Sequence, residues 1–143
     1  MNFIIGGAYQ GKHELAQKKF GITDDEIFIC TYDPENDPKN RDGAEKNSTA
    51  VGIDFSRRCI CHVERFALSC VKNGIEAREY FDEHKLEWAD SVIICDDIFC
   101  GVVPIDADMR AWREMCGRLC TYLTKEADTV THVYMCCSDW SKN

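Results

Sequence analysis

The sequence predicts an α/β fold, a mostly parallel sheet of about five strands with helices on both faces. Two observations carry this. A short apolar strand (Phe3-Ile4-Ile5) runs into a glycine-rich turn and then a stretch with helical spacing, and the same strand-then-helix alternation repeats to the end of the chain. The strands are short and apolar on both sides, as in a sheet covered on both faces, rather than alternating apolar with polar.

The first strand is expected at residues 2–6 and the first helix at 12–20. Between them lies Gly6-Gly7-Ala8-Tyr9-Gln10-Gly11-Lys12, a G-x-x-x-x-G-K pattern. Glycines at its ends let successive backbone N–H groups turn inward on an anion at the start of a helix. Residues 6–13 are therefore the expected nucleotide-phosphate cradle, Lys12 reaching the β- and γ-phosphates, and the fold is P-loop NTPase-like. His13 stands where such loops place Ser or Thr. An imidazole cannot replace that hydroxyl in kind, because Mg²⁺ favours hard oxygen ligands.

A second strand is expected over 26–32. Residues 33–48 are polar with Pro and Gly and read as a mobile surface loop. A short strand at 49–53 and a helix from about Asp54 to Asn73 follow, with Phe55, Cys59, Val63, Phe66 and Cys70 at three- and four-residue steps and Gly74 closing the helix. An amphipathic stretch 75–87 leads into a buried strand 91–95, a long helix over 106–126 and a last strand over 128–135. No composition shift divides the 143 residues, so one domain, 1–143, is expected.

Ligands of parallel sheets sit at the carboxyl ends of strands. Asp54, after AVGI, and Asp97 of the Asp96-Asp97 pair, after VIIC, are the candidate catalytic and metal-binding carboxylates beside Lys12. Each can hold Mg²⁺ through water or polarise an acceptor hydroxyl. Asp54 also suits a helix N-cap, and the two roles are compatible.

A net charge of −8 argues against nucleic-acid and anionic-membrane partners. No apolar run approaches the ~18–20 residues that span a bilayer. The first residues lack the basic leader of a signal peptide, and a cytoplasmic protein is expected. Ten cysteines include no C-x-x-C pair. Most fall at apolar positions and are expected to be reduced, packed thiols rather than zinc ligands or disulfides, with Cys59 and Cys61 on opposite sides of a helix.

The opening GGAYQGKHELAQ resembles that of the bifunctional adenosylcobinamide kinase / adenosylcobinamide-phosphate guanylyltransferase family. The later segment DDIFCGVVPIDADMRAWREMCGRLCTYLTKEADTV is similar to that family's G-x-V-P followed by R-x-x-R-x-x-x-G-R, with Gly101, Val103, Pro104, Arg110, Arg113, Gly117, Arg118, Leu123, Ala127 and Asp128 in register. The two stretches cover about a third of the chain. The resemblance implies ATP or GTP as ligand, a cobinamide-type small molecule as acceptor, and functional positions for Asp54 and Asp97. The family transfers GMP through a histidine between its second and third strands. Residues 33–48 contain no His, so guanylyl transfer is expected to be lost, and His62, on the amphipathic helix, is expected to be a surface or core-edge residue rather than a displaced nucleophile. A kinase-like phosphotransferase and a non-catalytic nucleotide- or corrinoid-binding protein both remain open, as do Mg²⁺ dependence and a homo-oligomer.

Overall fold

The computed structural model describes residues 1–32, 51–135 and 137–140, the last four by backbone alone. The polar segment 33–48 lies outside the described residues. Six strands form one sheet: β1 (Asn2–Gly6), β2 (Ile27–Ile29), β3 (Cys59–Cys61), β4 (Val92–Asp96), β5 (Thr129–Tyr134) and β6 (Cys137–Trp140). Their spatial order is β2-β3-β4-β1-β5-β6. The first five are parallel, and β6 turns back antiparallel on β5. The helices are α1 (Lys12–Phe20), α2 (Val63–Asn73), α3 (Ala77–Glu83), α4 (Lys85–Trp88) and α5 (Ala107–Glu126).

Each central strand alternates between two buried layers. In β4, Ile93 and Cys95 pack with α2, α3 and α5, whereas Val92 and Ile94 pack with Ala16 of α1. Phe3 and Ile4 of β1 divide the same way. Parallel strands joined by crossover helices have no solvent face, which is why these runs are apolar throughout. The alternation puts Asp96, one step beyond Cys95, on the α1 side of the sheet.

Several helix boundaries follow from local chemistry. Gly21 and Gly74, both left-handed, end α1 and α2. Asp106 caps α5 by accepting a hydrogen bond from the Met109 N–H at 3.0 Å.

The expected strand at 49–53, whose first two residues lie outside the described ones, and the helix from Asp54 are corrected. Residues 51–54 are irregular and 55–58 form a turn; the strand is Cys59–Cys61, and the helix starts only at Val63. Cys-Ile-Cys is completely buried between β2 and β4, and cross-strand packing there overrides the three- and four-residue apolar repeat that suggested a helix. Cys59 and Cys61 therefore share one face of a strand, with sulfurs 3.6 Å apart, and are not on opposite sides of a helix. All eight described cysteines are free thiols. No described helix is long and apolar enough to cross a membrane.

Candidate functional site

The carboxyl ends of β1, β3 and β4 converge on a cavity of about 490 Å³, lined by residues 8–14 of the glycine-rich loop together with His62, Arg65 and Asp96. Two glycines shape the loop for different reasons. Gly11 has φ 88°, a left-handed conformation that lets the chain turn into α1. Gly6 is required by packing: a Cβ there would sit 2.5 Å from the Val133 carbonyl oxygen of β5. The conformational role expected for both glycines thus holds for Gly11, whereas for Gly6 the close approach of β5 supplies the reason.

Lys12 opens α1 and is buried, yet its ammonium meets two oxygens. It donates to the Gly7 carbonyl and forms an ion pair of 2.7 Å with Asp96 Oδ1. A buried cation is tolerated only with such partners.

His62 directly follows β3 and carries φ 59°. Left-handed backbone costs a non-glycine residue roughly 1–2 kcal/mol, and strain of this kind gathers at functional sites. Tyr9, at φ 58°, is a second such residue, so two of the three described non-glycine residues with positive φ line this cavity. His62 Nδ1 lies 2.9 Å from Glu64 Oε1 and 3.6 Å from Asp96 Oδ2. Glu64 is buried, and its other oxygen accepts the Asp96 N–H at 3.0 Å.

These contacts split the proton affinities of the cavity's two imidazoles. Asp96 and then Glu64 raise His62 to about 9 by stabilising its charged form. His13, whose ring centroid is 5.9 Å from that of His62, is instead lowered by burial and by the positive charges of His62 and Lys12. Burial acts to raise Asp96, but hydrogen bonds from His62 and Lys12 outweigh it and hold the carboxyl at about 2. At neutral pH the cavity thus presents Lys12 and His62 as cations, Asp96 as an anion and His13 as a neutral base.

Lys12, His13 and the loop residues stand together here, but the two carboxylates expected from sequence do not. Asp54 precedes β3, at the amino-terminal end of the sheet; it is half exposed, accepts hydrogen bonds from Ser56 and pairs with Arg57, which also donates to the Asp25 carbonyl ahead of β2. It is neither a helix cap nor a strand-end ligand, because residues 51–53 before it are irregular and the helix starts only at Val63. Asp97 lies next to the loop, with its N–H on the Gly6 carbonyl at 2.8 Å, but its carboxylate accepts the Phe99 N–H at 2.9 Å and shapes its own turn. The strand-end acid in the cavity is its neighbour Asp96. His62 and Glu64 were missed for the same reason as β3, since a helix through 54–73 leaves His62 on a surface.

The arginines of the long motif have a structural use. Arg110 donates to the Pro104 and Ile105 carbonyls, and Arg113 to those of Val102 and Phe99. The first turns of α5 thereby hold the segment 99–105 while Val102, Val103 and Ile105 stay exposed. Arg118 pairs with Glu76 at 2.9 Å, ahead of α3.

The Mg²⁺ ligands expected from sequence do not come together. Position 13 offers an imidazole, Asp54 lies at the far end of the sheet, and Asp97 is committed to its turn. No family model and no curated protein matches the chain, so the chemistry of the cavity is read from its own residues.

Proposed function

We propose that the chain is a P-loop-type nucleotide-binding phosphotransferase, similar to the kinase half of the adenosylcobinamide kinase / guanylyltransferase family, that takes ATP or GTP and phosphorylates a hydroxyl of a small, cobinamide-type acceptor. The supporting observation is the position of Lys12: a buried ammonium at the start of α1, beside a left-handed Gly11, at the carboxyl ends of two central parallel strands.

In this reading the triphosphate lies along the loop N–H groups, and the positive charges of Lys12 and His62 face the γ-phosphoryl group. The acceptor oxygen bonds to the γ-phosphorus, the bond to the β-γ bridging oxygen breaks, and the nucleoside diphosphate leaves. The hydroxyl proton passes to His13, the neutral base of the cavity. Guanylyl transfer is lost in this reading, because residues 33–48, where the family carries its guanylylated histidine, contain no His.

A thermal-shift series with ATP, GTP, inorganic phosphate and cobinamide tests the proposal. A nucleotide at a hundredfold excess over its Kd adds about 2.7 kcal/mol of stability. Lys12→Ala should abolish that gain, and Asp54→Asn should leave it intact. No stabilisation by either nucleotide in the wild type overturns the reading. The ion pair that already engages Lys12 favours a second reading, binding without transfer; the appearance of labelled phosphate on the acceptor separates the two.

A further inference from the structure

We propose that His62 Nδ1, Glu64 Oε1 and Asp96 Oδ2 form a site for a divalent transition-metal ion of the zinc or cobalt class, at the wall of the cavity and off the glycine loop. The site goes beyond the phosphotransfer reading and does not depend on it.

The geometry comes from three elements. His62 and Glu64 flank the β3–α2 junction, and Asp96 ends the neighbouring strand β4. Their donor atoms all lie within 4.8 Å of one another. Bonds of about 2.0–2.2 Å from one ion set adjacent ligand atoms roughly 3.0–3.6 Å apart in tetrahedral or octahedral geometry. His62 Nδ1 stands 2.9 Å from Glu64 Oε1 and 3.6 Å from Asp96 Oδ2.

Each carboxylate also has one oxygen held by the protein and the other turned to His62. Glu64 Oε2 is fixed by the Asp96 N–H at 3.0 Å, and Asp96 Oδ1 by Lys12 Nζ at 2.7 Å. Outer contacts of this kind orient ligands in metal sites. The left-handed backbone of His62 supplies the remaining constraint, because it sets the imidazole toward both acids at a cost in strain. One nitrogen with two carboxylate oxygens selects borderline ions over Mg²⁺. The position carries positive charge either way, as a proton on Nδ1 or as the ion that displaces it.

A rival donor set lies elsewhere. Cys95, Cys116 and Cys120 cluster on the α5 side of the sheet, and a soft ion can bind there instead. Co²⁺ distinguishes the two, since cobalt on nitrogen and oxygen gives weak visible bands, whereas cobalt on thiolate adds intense near-ultraviolet charge transfer.

The test is a Co²⁺ titration of the reduced, chelator-treated full chain with no nucleotide present. We expect one ion bound with visible bands and no thiolate charge transfer, resistant to a hundredfold excess of Mg²⁺. His62→Gln and Asp96→Asn, each checked for folding by circular dichroism, should weaken binding by at least about tenfold, and Cys120→Ala should not. Absence of binding at millimolar Co²⁺ overturns the site, as does a thiolate spectrum that survives His62→Gln and disappears in Cys120→Ala. Nucleotide stabilisation of the same chelated protein is measured separately, so failure of the metal site and failure of the phosphotransfer reading are told apart.

Discussion

His13 and His62 face one another with ring centroids 5.9 Å apart, and their surroundings drive their proton affinities in opposite directions. A chelated sample followed by histidine NMR should show His62 titrating near 9 and His13 below 6.5. In His62→Gln, His13 should move back up, because one of the positive charges lowering it is gone. Two histidines that both titrate at the ordinary value would contradict the arrangement.

The same shifts fix a stability window in metal-free protein. His62, raised from 6.5 to about 9, contributes stability that is fully present below 6.5 and is lost as pH rises through 9. Asp96, lowered from 3.8 to about 2, contributes stability present above 3.8 and lost as pH falls through 2. The pH-dependent part of the wild-type advantage over His62→Gln should shrink steadily in urea melts between about pH 6.5 and about pH 9.5. An advantage that grows over that interval would contradict the assignment.

Gly6→Ala should destabilise by about 1–3 kcal/mol in denaturant melts through overpacking, because its Cβ meets backbone rather than a side chain that can move aside. Gly52→Ala, where the nearest atom is the Tyr80 hydroxyl at 3.8 Å, should be far milder. Equal losses at the two positions would remove the close approach of β5 as the reason for Gly6.

Arg113→Ala releases the carbonyls of Val102 and Phe99. Faster protease cleavage within 98–106 and faster amide exchange there are expected, with α2 unchanged. Uniform acceleration across the chain would point to global destabilisation instead.

Among the described cysteines, Cys100 alone is exposed, whereas burial pushes Cys30 and Cys70 up to about 12. Alkylation of native protein followed by mass spectrometry should mark Cys100 first of these eight, and Cys30 and Cys70 only on unfolding.

The sequence alone determined the elements whose signals are local. Gly11-Lys12 sets the start of α1, Gly74 ends α2 and Asp106 caps α5, each through the backbone needs of a few neighbouring residues. The mostly parallel character of the sheet was also legible, since VIIC and FII are apolar on both sides. Tertiary structure decided β3: Cys59-Ile60-Cys61 is a strand because β2 and β4 flank it, and the apolar spacing that suggested a helix carries no information about those neighbours. It likewise decided which acid enters the cavity. Asp96 and Asp97 are adjacent in sequence, but the pleat turns Asp96 toward Lys12 and His62 while Asp97 closes a turn. Position in a sheet depends on pairing between distant segments, and such pairing leaves no mark in the local pattern of residues.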